Sequence, residues 1–518
     1  MNNGITRRDL LLSTVAAAVA ARSGVTAAAQ SRPNILFILA DDLGYADLSI
    51  YGRRDYQTPV LDRLAREGLM MTAGYSNSAV CSATRFGLIT GRYQYRIESG
   101  LREPGGGGGD DYGLPEGHPT LPSLMQKQGY RTSLFGKWHL GSAAKFVPRR
   151  HGYDYFFGFL GAASDYYRIP GKEFTGPGLR AGGPPNLRAG GGGEIPGGPG
   201  GAPGNGPPGG GFPGGAPGGI PGGARGGARG GAGGMGAEMG LYENEMPVQR
   251  EGYLTDLLAE HAIKEIADSV AAKKQFFMSL HFNAPHSPWE GPKDEQAIKD
   301  GTFNAGGSLA KYAEMVIALD SAVGRVLQQL KKSGIERDTL VVFTSDNGGE
   351  RFSDDWPFIG MKGELLEGGI RVPLMVRWPG RIKSGRKSDQ VMITMDFLPT
   401  LLAAAGGAPD SSYPSDGMNL LPVILGQQEP VPRKLFWRYK ANDQHVARDG
   451  DWKYIKIGDQ EHLFNVVQDQ HERADLRTVY PERFNQLKAD FQTWNTNMLT
   501  YPEGMVSWNA KGELADRY

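Results

Sequence analysis

Three apolar runs of strand length, each ending in polar chemistry, constrain the fold most strongly. Asn34-Ile35-Leu36-Phe37-Ile38-Leu39-Ala40 ends in Asp41-Asp42, and Leu340-Val341-Val342-Phe343-Thr344 ends in Ser345-Asp346-Asn347-Gly348. Gln275-Phe276-Phe277-Met278-Ser279-Leu280 ends in His281-Phe282-Asn283-Ala284-Pro285-His286. A continuous apolar run, unlike an alternating one, suits a strand of a sheet covered on both faces. Between the runs, Thr58 to Glu67, Thr120 to Gln128, Tyr253 to Ser269 and Leu309 to Lys332 read as helices, the last two with apolar residues at three- and four-residue spacing. The pattern is α/β. Ligand sites in open α/β sheets lie where strands end, so acids and imidazoles after three buried strands mark one region of the molecule.

Composition narrows the function classes. With 56 Lys+Arg against 56 Asp+Glu in 518 residues the chain is formally neutral, which gives no bulk attraction to nucleic acid or to an anionic membrane. A single cysteine, Cys81, excludes a disulfide framework and any multi-cysteine zinc or iron-sulfur site. The 77 glycines are densest between Gly171 and Gly240, where roughly 30 residues are Gly and about half of the rest are Pro or Ala. This stretch has no strict three-residue period and too little apolar side chain to offset its ordering entropy, so it reads as a disordered insert with solvating Arg residues.

The N-terminus, Thr6-Arg7-Arg8-Asp9-Leu10-Leu11-Leu12 followed by an Ala/Val run and Ala27-Ala28-Ala29-Gln30, reads as a twin-arginine export signal. Its apolar run is too short to span a bilayer. A periplasmic or secreted location is therefore expected, reached through the twin-arginine machinery, with no transmembrane span. After Pro432 the texture changes: Lys434 to Tyr439, Gln444 to Arg448 and Trp452 to Lys456 alternate at strand period, and Tyr480 to Asn497 reads as a helix. The expected organisation is a signal over 1–30, a catalytic domain over 31–430 and a small α+β domain over 431–518.

Adjacent acids at a buried strand end repel one another and require a compensating cation. Asp41, Asp42, Asp346 and Asn347 offer only oxygen ligands, a set that suits Ca²⁺ or Mg²⁺ and poorly suits zinc. The lone cysteine stands in Val80-Cys81-Ser82-Ala83-Thr84-Arg85-Phe86-Gly87-Leu88-Ile89-Thr90-Gly91-Arg92. This string closely resembles the signature of the formylglycine-dependent sulfatases, arylsulfatases included. Asn34 to Gly44, Gly136-Lys137-Trp138-His139-Leu140-Gly141, Ala284-Pro285-His286-Ser287-Pro288, Ser345 to Gly348, and Met361-Lys362-Gly363 with Glu367 to Pro373 follow in that family's order. Outside the insert the resemblance covers roughly Pro33 to Asp475.

The resemblance implies an alkaline-phosphatase-like α/β/α sandwich with a large mixed sheet, plus a small antiparallel sheet and helix at the C-terminus. It implies hydrolysis of an aryl or carbohydrate sulfate monoester to alcohol and inorganic sulfate, with Cys81 converted to formylglycine and one divalent metal, calcium before magnesium. The metal ligands are then Asp41, Asp42, converted Cys81, Asp346 and Asn347. In that family's chemistry one hydroxyl of the aldehyde hydrate attacks sulfur, and loss of a proton from the other expels sulfate. By similarity Arg85 and Lys137 hold the formylglycine oxygens and Lys362 the sulfate, His286 protonates the leaving alcohol, and His139 takes the proton from the second hydroxyl. His281, five residues before His286, reads as structural. Ala83 departs from the commoner Pro of the signature, which leaves open whether an oxygen-dependent or a radical maturation enzyme converts Cys81. Two rival readings stand beside this one: a phosphate or phosphonate ester hydrolase of the same superfamily, and a silent sulfated-glycan binder retaining unconverted Cys81. The leaving group is expected against Glu98 to Asp111, Phe156 to Tyr167, and Phe436 to Tyr439 with His445.

Overall fold

The computed structural model describes residues 32–103, 112–167, 240–505 and 507–508. The expected export signal lies outside them, as does the Gly-rich insert apart from Gly240, and as do residues 104–111 of the expected leaving-group loop. In chain order the strands are β1 (Asn34–Asp41), β2 (Leu69–Met71), β3 (Gly74–Tyr75), β4 (Arg131–Lys137), β5 (Tyr155–Phe159), β6 (Leu241–Glu243), β7 (Met246–Val248), β8 (Phe276–Pro285), β9 (Thr339–Ser345), β10 (Leu374–Arg377), β11 (Arg386–Ser388) and β12 (Met392–Ile393). Four more, β13 (Lys434–Tyr439), β14 (Gln444–Asp449), β15 (Trp452–Ile457) and β16 (Gln460–Asn465), follow near the C-terminus. The longer helices are α1 (Pro59–Arg66), α2 (Cys81–Thr90), α3 (Leu121–Lys127), α4 (Leu254–Ala271), α5 (Leu309–Lys332), α6 (Phe397–Ala404) and α7 (Pro481–Asn495).

Ten strands form one mixed sheet in the order β11-β2-β10-β9-β1-β8-β4-β5-β6-β7, with the three apolar runs adjacent at its centre. Strands β9, β1, β8, β4 and β5 are mutually parallel, so their C-terminal ends lie along one edge, and β10 is antiparallel to β9. Side chains alternate across the sheet. Leu36, Ile38 and Ala40 face a core shared with α1, α4 and α5, whereas Ile35, Phe37 and Leu39 face a second core shared with α2, α3 and α6. Helices on both faces explain why the runs are apolar throughout, and the architecture is the expected α/β/α sandwich. Among the described residues no helix is long and apolar enough to cross a membrane.

One strand runs further than its composition suggests. The third apolar run does not stop at Leu280: β8 continues through Pro285, pairing His281 with Leu39 and, after a register shift, Pro285 with Asp41. Backbone pairing with β1 extends the strand past its apolar segment, so the histidine-bearing stretch starts on the sheet and only His286 lies beyond it.

Strands β13 to β16 form a separate antiparallel sheet. One face, with Ala447, Tyr454 and Leu463, packs against Leu487 and Phe491 of α7. The other, with Leu435, Trp437, Tyr439, Val446 and Ile455, packs against Tyr75, Val80, Ala83, Tyr95 and Ile370. The small sheet is thereby seated on the segments that surround Cys81.

Candidate active site

The site is assembled where parallel strands end. β1 delivers Asp41, β4 delivers Lys137, and Asp346 and Asn347 follow β9. Immediately after β1 and β4 the chain turns through non-glycine residues in the left-handed region, Asp42 at φ 61° and His139 at φ 58°. Such conformations cost roughly 1–2 kcal/mol each and persist where the surroundings fix them. Here the bracing is visible: the Asp42 N–H donates to Asp346 Oδ1 (3.3 Å), the Leu43 N–H to Ser345 Oγ (3.0 Å), and Ser345 Oγ to the Asn347 carbonyl (3.0 Å). In β4, Gly136 has φ 106°, and a Cβ there would lie 1.8 Å from the His281 carbonyl oxygen, so a side chain would push β4 and β8 apart.

Cys81 is the first residue of α2, following an extended Val80, at the end of the helix where unpaired N–H groups concentrate positive potential. Arg85 is four residues on, one turn away on the same face. This is the physical content of the Cys-x-x-x-Arg spacing: one buried helix presents both groups to the strand ends.

Each of the three buried aspartates hydrogen-bonds a different cation. Lys137 Nζ donates to both Asp41 oxygens (2.9 and 2.8 Å), Lys362 Nζ to Asp42 Oδ2 (2.6 Å), and Arg85 Nε and Nη2 to Asp346 Oδ2 (3.1 and 2.8 Å). Arg85 Nη1 also donates to the Lys137 carbonyl (3.0 Å) and lies 3.3 Å from His281 Nδ1. His286 Nε2 is 3.5 Å from Asp42 Oδ2. Burial raises the Asp41 carboxyl well above the usual range, more than Lys137 lowers it. At Asp42 burial also raises the pKa, but Lys362, His286 and Lys137 together overcome it and hold the group below the usual range. Burial, and then the neighbouring Lys362 charge, depress His286 to about 3. The Cys81 thiol is raised by burial.

The donor set fits a hard divalent cation. Ligand atoms of Asp41, Cys81 and Asp346 lie within 4.8 Å of one another. Asn347 donates through Nδ2 to Asp42 Oδ1 (2.8 Å), while its buried Oδ1 has no hydrogen-bond partner among the described residues. A buried amide oxygen without a donor is costly unless something else fills that role. Asp41, Asp42, Asp346 and Asn347 are therefore the residues suited to holding such an ion, with the group at position 81 beside them.

All the residues singled out by sequence, Asp41, Asp42, Cys81, Arg85, Lys137, His139, His286, Asp346, Asn347 and Lys362, are carried by the strand ends, the first two turns of α2 and the loops beside them. Sequence reasoning missed Glu350. Its carboxylate groups with Asp42 and His286, and its Oε2 lies 3.9 Å from Lys362 Nζ; its only signal was its place directly after Asn347-Gly348-Gly349. His281 is a holder of Arg85, consistent with a structural role. The expected leaving-group surface needs correction. Phe436 stacks on Trp494 and His445 on Phe491, so both face α7 and not the site. Phe156 to Phe159 belong to the buried strand β5, and Tyr166 instead braces the His286 segment, its hydroxyl donating to the Asn283 and His286 carbonyls (2.9 Å each).

Comparison with known proteins places this arrangement. A family model described as Sulfatase matches residues 33–408, and one described as N-sulphoglucosamine sulphohydrolase, C-terminal, matches 361–495. The N-acetylgalactosamine-6-sulfatase of Canis lupus familiaris is 31% identical over 443 residues, covering 82% of this chain and 72% of that protein. The steryl-sulfatase of Mus musculus is 34% identical over 476 residues, covering 83% and 72%. Among solved structures, Ps i-CgsB in complex with k-i-k-neocarrahexaose matches with a TM-score of 0.74 at 26% identity, covering 91% of this chain and 94% of that one.

Proposed function

This chain belongs to the sulfatase family and is a sulfuric ester hydrolase, and from that premise we propose that it cleaves a carbohydrate sulfate monoester using formylglycine made from Cys81 and one calcium ion. The observation that carries this reading is the convergence of Cys81, Asp41 and Asp346 within 4.8 Å, ringed by Arg85, Lys137 and Lys362. The aldehyde hydrate would supply one hydroxyl to attack sulfur and a second whose loss of a proton reforms the aldehyde and breaks the carbon–oxygen bond to the sulfated first oxygen, and a divalent cation held here would lower the cost of ionising the first. Asp41, Asp42, Asp346 and Asn347 hold the ion. Arg85 and Lys137, each anchored on a carboxylate, orient the oxygens at position 81, and Lys362 draws in the sulfate charge. His286 stands beside Lys362 to protonate the departing alcohol, and His139, fixed in its left-handed turn, receives the proton from the second hydroxyl. A sulfate held at Lys362 offsets the positive charge that otherwise disfavours a proton on His286.

The expected domain boundaries (31–430 and 431–518), twin-arginine export to the periplasm or beyond, and conversion of Cys81 by a dedicated maturation enzyme belong to the same proposal. The relatives include steryl- and arylsulfatases as well as N-acetylgalactosamine-6-sulfatases, and a carbohydrate substrate is proposed ahead of an aryl one because a structural neighbour covering 91% of this chain is a complex with a carrageenan-type oligosaccharide. The test is turnover of a panel containing sulfated chondroitin- and carrageenan-type oligosaccharides, an aryl sulfate and an aryl phosphonate, with and without chelator. The expected result is chelator-sensitive release of sulfate with the highest kcat/KM on a sulfated sugar. Preferential cleavage of the phosphonate, or sulfate release indifferent to chelator, would overturn the reading.

A further inference from the structure

Trp508 lies beyond the residues matched by either family description, 33–408 and 361–495, yet it reaches the active site. Lys362 Nζ is 5.5 Å from the centre of its indole ring. Trp508 is half-buried. The end of β13 and the residue after it hold the tail in place. Arg438 donates to Asn495 Oδ1 (2.6 Å) and the Leu499 carbonyl, the Tyr439 hydroxyl to the Trp508 carbonyl (2.6 Å), and Lys440 Nζ to the Met505 carbonyl. From the other side the Trp508 N–H donates to the Glu103 carbonyl (2.6 Å), and Ser507 Oγ donates to the same carbonyl (3.1 Å). A backbone tied on both sides of Trp508 fixes where the indole stands.

We propose that Trp508 is a substrate-binding residue, the wall on which the leaving group's sugar ring rests while its sulfate is held at Lys362. This rests on the carbohydrate-sulfate reading above. A pyranose presents an apolar face of C–H groups, and an indole offers a broad rigid apolar surface at little cost in side-chain entropy. Ring and ammonium are 5.5 Å apart, which puts the indole within reach of the first carbons of an ester whose sulfate pairs with Lys362. A different role is also chemically sensible for an aromatic ring over a lysine: Trp508 could act on Lys362 alone, through a cation–π contact. The two roles predict different kinetics, since inorganic sulfate uses Lys362 but carries no leaving group.

The experiment compares wild type, Trp508→Ala and Trp508→Phe as mature, metal-loaded full-length protein. KM and kcat are measured on the sulfated oligosaccharide of the panel that wild type cleaves best, together with Ki for inorganic sulfate. Trp508→Ala is expected to raise KM about tenfold with kcat within about threefold, the pattern of lost binding common to ground and transition states. Ki for sulfate should stay within about twofold, and Trp508→Phe, which keeps an apolar ring in place, should recover most of the KM. An unchanged KM in Trp508→Ala, a Ki that rises in parallel with KM, or a Phe variant no better than Ala would overturn the assignment. Failure of wild type on every oligosaccharide would instead overturn the carbohydrate reading, and this inference with it.

Discussion

Two buried charge clusters can be set side by side. At the strand ends, Asp41, Asp42 and Asp346 face Lys137, Lys362 and Arg85. At the junction with the small sheet, Glu367 accepts from Lys453 Nζ (3.0 Å), Arg371 Nη1 (3.1 Å) and the Tyr75 hydroxyl (2.5 Å), and Lys453 Nζ lies 2.8 Å from Glu472 Oε1. Both combine acids and cations removed from water, and both contain displaced pKa values, with Glu472 pushed up to about 7 mainly by burial. Perturbed ionisation therefore does not distinguish them. Among the cations exposure is alike, Arg371 at 8% and Lys362 at 7%, and what sets the strand-end cluster apart is His286, 13% exposed beside Lys362. The open cluster also has a cysteine and the unpartnered Asn347 Oδ1 among its groups. Buried charge alone marks cost, and buried charge at an opening with spare ligand atoms marks chemistry.

Substitutions should break the pair apart in different ways. Cys81→Ala should lower turnover by about 10⁴ or more while leaving thermal unfolding within a few degrees of wild type, since it removes the nucleophile and no ion pair. Steady-state rates with a melting curve check this, and retained turnover would remove Cys81 from the chemistry. Lys453→Ala should do the reverse. Leaving Glu367 and Glu472 buried without their shared cation should cost about 3–5 kcal/mol of stability by denaturant unfolding, with kcat/KM of the folded fraction within about tenfold. Lys362→Ala should lower kcat/KM by about 10² to 10³, as for the loss of one anion-stabilising donor. A loss below fivefold would show that the open cluster does not need it.

A third buried acid sharpens the contrast. Glu103 accepts from the Lys440 N–H, the Tyr501 hydroxyl and Ser507 Oγ, with no direct cation among the described residues, and burial pushes it up to about 8. A folded pKa raised above the unfolded one means that the native state keeps a proton the unfolded chain gives up. The associated stability is present below the unfolded Glu value, about 4.3, and is lost as pH rises through about 8. Glu103→Gln, permanently neutral, should therefore match wild type near pH 4 and melt a few degrees higher near pH 9. Equal pH profiles would place Glu103 with the paired acids.

Much of this was legible in the sequence because the relevant physics is local. Apolar runs without alternation specified strands covered on both faces, and the acids behind them specified where ligands go. The four-residue step from Cys81 to Arg85 encodes one helical turn. What was not legible depends on which face of an element meets which neighbour. The period-two alternation of β13 and β14 announces two faces, but not that Trp437 and Tyr439 face the Cys81 side while Phe436 and His445 face α7. Glu350 and Trp508 enter through loop and tail paths fixed by long-range hydrogen bonds, for which the sequence carries no periodic signal. The continuation of β8 to Pro285 likewise follows from pairing with β1, not from its own composition.

The central claim, that Cys81 is converted and performs ester cleavage, is tested most directly by the mass of the Cys81-containing peptide from active protein purified from its own host. Conversion of the thiol to the aldehyde predicts a peptide about 18 Da lighter than the unmodified one, in a fraction that scales with specific sulfatase activity across preparations. Full activity in protein whose Cys81 peptide carries only the unmodified mass would contradict the account.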